Sequence, residues 1–202
     1  MKPLNLGVLS VSGHFIKRVL LPLRDIDNVN IYAIASRDLD KAEKAAYEYA
    51  IPNVYGSYQD LLNDPEVDFV YIPLPNHLHL EWIKKSADAG KHILCEKPIA
   101  MNAKEASEAI AYAQSKGVKI MEAFMYRFHP QWIRAKELVQ VGEIGGITAI
   151  QTFFSYNNPD PENIRNILEY GGGGIMDIGC YAISIPRYFL DREPVKVVST
   201  VV

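Results

Sequence analysis

The sequence is short of several things, and each shortage removes a class of protein. Cysteine occurs twice, at Cys95 and Cys180, without CxxC spacing and without an obvious histidine partner. A disulfide framework and a metal site are therefore not expected, and a reducing compartment, the cytoplasm, is. No apolar run approaches the ~20 residues of a transmembrane helix. The short apolar start, broken by Asn5, also lacks the small-residue cleavage pattern of a secretory signal. Charge of neither sign dominates: 21 Lys and Arg stand against 24 Asp and Glu, a net of −3, which offers nothing to nucleic acid or an anionic membrane. Repeats and low-complexity linkers are missing too. What is present, 49% hydrophobic and 22% charged residues over 202 positions, suits a folded chain with one sizeable core.

The apolar patterning alternates between two kinds of element. "LNLGVLS", "NIYAIAS", "NVYGS", "VDFVYIP", "HILCE" and "VKIMEAF" read as strands. Between them lie helical stretches: about Phe15 to Asp25, "DLDKAEKAAYEYA", "YQDLLN" with Ser57 as its cap, and "LHLEWIKKSADAG" stopping at Gly90. A fifth helix opens on the N-x-x-E of Asn102 and Glu105, reaches Lys116 and has Gly117 behind it. Strands alternating with helices across short loops predict an α/β fold, with a Rossmann-type doubly wound parallel sheet over residues 1–123. Past Phe124 come a loop, the helix "QWIRAKELVQ", the long strand candidate "GITAIQTFFSY", a polar loop, a Gly-rich turn entering the helix "GGGGIMDIGCYAISIPRYFL", and a last strand candidate, "PVKVVSTVV". Residues 124–202 thus read as the beginning of an α+β domain with an open, mostly antiparallel sheet that is cut short.

Parallel sheets bind ligands beyond the carboxyl ends of their strands. Those ends carry Ser10 to His14, Ser36 and Arg37, Pro73 to His79, and Glu96 to Pro98. In the first of these loops, Ser10 and Ser12 precede Gly13, His14 and Phe15 where a dinucleotide fingerprint has its first two glycines. A serine at position 10 costs ~1 kcal/mol or more if φ must be positive. Cofactor binding is accordingly expected to be weakened but retained, and improved by Ser10→Gly. At the end of the second strand, Ser36, Arg37 and Lys41 replace the acid that would hold a free ribose, a pattern suited to a 2′-phosphate and hence to NADP(H), with NAD(H) second.

"CEKPIA" places Glu96 and Lys97 at a buried strand end, with a Lys97-Pro98 bond that can turn sharply in the cis form. The pair is expected to set an ammonium beside a carboxylate, where the lysine could enter proton transfer; a surface ion pair is the plainer alternative. Asp177 and Tyr181 stand four apart, on one helix face, where Lys97 would stabilise a phenolate on Tyr181; a half-buried aromatic and a first-turn charge are the alternative here. Glycines 171–174 read as a turn permitting close approach, and "HLH" at 77–79 gathers no further metal donors.

Taken together, "VYIPLPNHLHLEWIKKSADAGKHIL", "CEKPIA" and "GGGGIMDIGCYAIS" resemble the Gfo/Idh/MocA oxidoreductases over essentially the whole chain, within the branch of glucose–fructose oxidoreductase, dihydrodiol dehydrogenases and xylose dehydrogenases. The resemblance implies an NADP-dependent enzyme acting on C–OH or C=O of a sugar or cyclic diol. Lys97, Asp177 and Tyr181 would be catalytic and, with Arg165, touch substrate. Pro75, Asn76, His79, Glu96, Glu122 and Arg127 would lie along the nicotinamide, and Tyr156 and Tyr170 are further candidates beside the substrate. It also implies a homo-oligomer once the second sheet is complete, and weak or no activity for the 202-residue chain alone. The alternative is a non-catalytic NADP-binding sensor of the same fold.

Overall fold

The computed structural model describes residues 2–200. The first apolar run forms β1 (Leu4–Leu9), buried at every position after Leu4. A strand buried on both faces belongs to a parallel sheet covered on both sides, and that is what assembles. β2 (Val29–Ala35) and β3 (Asn53–Tyr55) extend the sheet one way from β1. β4 (Phe69–Ile72), β5 (His92–Cys95) and β6 (Ile120–Glu122) extend it the other way. All five pairings are parallel and the order is β3-β2-β1-β4-β5-β6. The chain therefore reverses direction across the sheet between β1 and β4, which opens a crevice outside their carboxyl ends.

Helices cover both faces. After β1 comes a continuous helical segment: α1 (Gly13–Phe15), a π turn (Ile16–Leu20) and α2 (Leu21–Leu23). It shares one core with α3 (Leu39–Tyr49), built from Leu6, Val8, Phe15, Leu20, Ile34, Ala42 and Tyr71. α4 (Tyr58–Asn63), α5 (His79–Asp88) and α6 (Ala103–Ser115) pack on the opposite face around Leu9, Leu61, Ile72, Ile83 and Ala109. The alternation of Val8 and Leu9 between these cores is the period of two of a strand. The expected caps form: Ser57 Oγ accepts the Asp60 amide at 3.1 Å, and Asn102 Oδ1 accepts that of Glu105 at 3.0 Å. Asp38 likewise accepts the Lys41 amide at 3.1 Å and starts α3.

Beyond β6, a 3-10 turn (Met125–Phe128) leads into α7 (Pro130–Gln140), and a π turn (Ile175–Gly179) runs into α8 (Cys180–Leu190). Tyr126 joins them: its ring meets Trp132 and Tyr188 edge-on at 5.2 and 5.6 Å, and its hydroxyl lies 2.8 Å from Ser184 Oγ. The two strands expected after Phe124 do not form among the described residues. "GITAIQTFFSY" and residues 194–200 carry no ladder, and Phe153 and Val195 stand in solvent; Val201 and Val202 lie outside the described residues. β-Propensity reflects fit to a neighbouring strand, and neither segment has one to pair with.

Candidate active site

A cavity of about 850 Å³ lies over the carboxyl ends of the central strands, bounded by the start of the helix after β1, by Pro73–Asn76, by Glu96 and Lys97, and by Tyr156, Arg165, Asp177 and Tyr181. Lys97 lies two residues past the end of β5, and its peptide bond to Pro98 is cis. Its ammonium does not pair with Glu96, as the sequence suggested. It reaches across to Asp177, 3.2 Å from Oδ1 and in contact with the carbonyl oxygen of the same residue. Asp177 Oδ1 also accepts from Arg165 Nε at 3.2 Å, and the Tyr156 hydroxyl donates to Oδ2. Burial pushes the Asp177 carboxyl up, but the Tyr156 hydrogen bond and the Lys97 and Arg165 charges outweigh it and hold the group below its ordinary value.

Tyr181 sits one turn further on, half-buried, with Phe124 edge-on at 5.3 Å and Phe154 at 5.9 Å. Lys97 Nζ lies 5.2 Å from the centre of its ring. The expected stabilisation of a phenolate is not found: the Tyr181 hydroxyl is pushed up to about 12, first by burial and then by the negative charge of Glu96, Cys180, Asp177 and Glu122. An ammonium over the ring face attracts the π cloud, and its charge is already spent on Asp177. The neutral hydroxyl is the stable form.

Glu96 is held differently. It accepts from the Tyr71 hydroxyl at 2.6 Å and the Lys97 amide at 3.2 Å, and its carboxylate lies 3.3 Å from His14 Nε2. Burial raises the carboxyl, but His14 and Tyr71 overcome that and leave it below its usual range. Nε2 of His14 is buried against this carboxylate without a hydrogen bond of good geometry. Tyr71 was not singled out from sequence, although a buried tyrosine in an otherwise apolar strand needs a partner for its hydroxyl.

The phosphate loop keeps the shape of a fingerprint without its glycines. Ser10 sits at φ +140°, the glycine-like conformation feared for it. Ser12 caps the helix by accepting the Phe15 amide at 3.0 Å, so Ser12, Gly13 and His14 line the crevice at a helix N-terminus. Phe15 is fully buried, and the helix widens into its π turn directly after it. At the end of β2, Ser36 Oγ accepts the Asp38 amide at 3.1 Å, while Arg37 and Lys41 are exposed.

Four residues expected along the nicotinamide or its cleft have partners within the protein. The His79 side chain is fully buried, each ring nitrogen 2.9 Å from a carbonyl, Leu74 O and Pro98 O. Asn76 directs its amide to Gly171 O at 2.8 Å, although it also borders the crevice. Glu122 and Arg127 line a separate cavity beside Ser184 and Arg187: Glu122 accepts the Ile99 amide at 2.8 Å, and Arg127 lies 3.4 Å from Ser184 Oγ. The glycine turn approaches its own loop closely, because a Cβ on Gly172 would lie 2.6 Å from Arg165 O and 2.7 Å from Ile167 O. Among the described residues no three His, Cys, Asp or Glu side chains gather to hold a metal, both cysteines are free, and no helix is long and apolar enough to cross a membrane.

The residues fit a dinucleotide: a capped helix N-terminus for a pyrophosphate and exposed cations at the end of β2. Comparison with known proteins agrees with this geometry. Residues 4–124 match the family described as an oxidoreductase family with an NAD-binding Rossmann fold, and residues 132–202 match the GFO/IDH/MocA C-terminal domain. A D-xylose 1-dehydrogenase (NADP(+)) from Haloferax volcanii is 45% identical over 91% of this chain and 56% of its own length. A trans-1,2-dihydrobenzene-1,2-diol dehydrogenase from Xenopus tropicalis is 39% identical over 81% of this chain and 49% of its own. Among solved structures, a mutant 3-ketoreductase from Actinomadura kijaniata, in complex with TDP-benzene and NADP, superposes with a TM-score of 0.87 at 34% identity, covering 94% of this chain and 58% of that one. The chain thus spans about half the length of these relatives. With its six-stranded sheet and the matches over both parts, the chain belongs to the Gfo/Idh/MocA oxidoreductase family.

Proposed function

We propose that this chain forms the cofactor-binding and reacting part of an NADP(H)-dependent oxidoreductase that acts on a C–OH or C=O carbon of a sugar or related cyclic diol. The convergence of Lys97, Asp177 and Tyr181 on the crevice at the β1/β4 reversal carries this reading. When bound, the nicotinamide would supply or accept the hydride. The protein's own contribution is to place the substrate oxygen and manage its proton. In the reduction direction, the neutral Tyr181 hydroxyl donates to the oxygen as it gains negative charge. Asp177, fixed by Lys97, Tyr156 and Arg165, cannot drift toward that oxygen, and Lys97 offsets its charge. Arg165 and Tyr156 border the crevice where hydroxyls of the substrate ring would lie. Ser36, Arg37 and Lys41 favour a 2′-phosphate, since a guanidinium makes charge-assisted hydrogen bonds to it.

NADPH titration by fluorescence, followed by turnover of the full polypeptide against aldoses, ketosugars and cyclic diols, tests the reading. Binding with turnover that Tyr181→Phe abolishes supports it. Tight NADPH binding with no turnover of any compound overturns it in favour of a sensor.

A further inference from the structure

The turn "PNHLH" at 75–79 faces the crevice, yet its three polar side chains are spent within the protein. Asn76, on the 3-10 turn Asn76–Leu78, donates to Gly171 O at 2.8 Å across 95 residues of sequence. The ring of His77 stacks on Tyr170 at 4.8 Å and 21°. Gly171 is pressed onto the same place: at φ +78°, a Cβ there would lie 2.8 Å from Asn76 Cβ. From the other end of the turn, His79 reaches Leu74 O and Pro98 O, both at 2.9 Å.

These contacts hold two pieces of chain that carry the reacting groups. Pro98 is the neighbour of Lys97. Gly171 stands six residues before Asp177, and the path between them is tied by backbone bonds: Gly172 N to Ile167 O at 2.9 Å, Gly173 N to Arg165 O at 2.8 Å, and Asp177 N to Gly173 O at 3.0 Å. Little slack remains between the contact at Gly171 and the carboxylate that meets Lys97. We infer that Asn76, His77 and His79 are positioning residues, a bracket that sets the Lys97–Asp177 contact, and that Asn76 acts through Gly171 and not as a ligand of the cofactor. The inference rests on the reading of Lys97, Asp177 and Tyr181 as the reacting groups, but its test needs no turnover.

Hydrogen exchange by mass spectrometry on Asn76→Ala, Asn76→Asp and His77→Ala, together with NADPH titration of each, decides it. Peptides covering residues 168–181 should exchange at least about tenfold faster in both Asn76 variants, because aspartate keeps the shape but cannot donate to a carbonyl. Peptides from β4 and β5 should keep their protection, and the NADPH dissociation constant should stay within about twofold, under ~0.5 kcal/mol. Unchanged exchange over 168–181, or a loss of NADPH affinity of about tenfold or more, overturns the inference. If the Asn76 variants lose protection throughout the sheet, His77→Ala, which removes only a stack at the surface, decides by the same criteria. Failure of the functional reading would look different: the parent protein would bind NADPH without turnover, or not bind it, while the exchange response to Asn76 stayed.

Discussion

Replacing Ser10 by glycine isolates the energetic consequence of the altered phosphate loop. Ser10 holds φ +140°, a region that costs an L-residue ~1–3 kcal/mol and a glycine almost nothing. Glycine brings an opposing term, because the freer unfolded chain loses ~0.5–1 kcal/mol more entropy on folding. The strain is the larger, so a net gain of ~0.5–2 kcal/mol is expected. For a chain of this size each kcal/mol moves Tm by ~2–4 °C, so thermal unfolding followed by circular dichroism should show a rise of ~1–8 °C. The structure also moves the effect. The glycine-like φ is already present in the fold itself, so relieving it stabilises free and cofactor-bound protein alike. NADPH affinity should then change by less than about threefold, ~0.7 kcal/mol, so the improvement expected from the sequence falls mainly on stability. An unchanged or lowered Tm would refute the strain argument. A tenfold gain in affinity without a rise in Tm would show that the strain arises only on binding.

Three further outcomes are expected. With its hydroxyl pushed up to about 12, Tyr181 stays protonated between pH 6 and 10, so carbonyl reduction should show no ionisation of this group there, and Tyr181→Phe should cost ~10²–10⁴-fold in kcat; an ionisation near pH 7 that vanishes in Tyr181→Phe would contradict this. Asp177, depressed by its partners, contributes stability above its unfolded pKa of ~3.9 that is lost as pH falls through its lower folded value. Urea unfolding of Asp177→Asn should therefore show a shallower loss of stability below pH ~4 than the parent, and parallel curves would refute the coupling. Arg37→Ala should weaken NADPH by ~1.5–3 kcal/mol, about ten- to hundredfold, while leaving NADH nearly unchanged; equal losses for both cofactors would remove Arg37 from the 2′-phosphate.

The parallel sheet was legible because its strands are short, apolar on both faces and separated by helices whose caps are written in single residues, Ser57 and Asn102. The strand expected at 146–156 was not, because β-branched and aromatic residues report what a segment can pair with and not whether a partner is there. Four-residue spacing correctly set Asp177 and Tyr181 near one another, but spacing cannot say where a neighbouring charge is spent. Lys97 goes to Asp177, so its effect on Tyr181 was misjudged. Glu122 and Arg127 illustrate a third limit. Their place beside the cofactor was expected from the resemblance, and a motif does not report the partners a side chain finds within the fold: Glu122 accepts the Ile99 amide and Arg127 lies against Ser184.

The balance of charge around Tyr181 bears on both directions of the reaction. Glu96 and Asp177 are both held below their ordinary values, so both are ionised at neutral pH. Lys97 compensates one of them, and His14 lies against the other without a well-formed hydrogen bond. Burial and the nearby carboxylates of Glu96, Asp177 and Glu122 hold the proton on Tyr181, while Lys97 and Arg165 are both engaged by Asp177. Under the proposed function, donation to a carbonyl oxygen that is gaining a hydride is driven by the stronger base forming there, but it leaves a phenolate on Tyr181 that must be reprotonated before the next turnover. Oxidation of an alcohol runs the same step backwards, from the phenolate to the neutral hydroxyl. The charges around Tyr181 therefore weigh on both directions alike and act through pH: reduction starts from the neutral form that prevails, and oxidation from a phenolate that gains population only as the pH rises toward about 12.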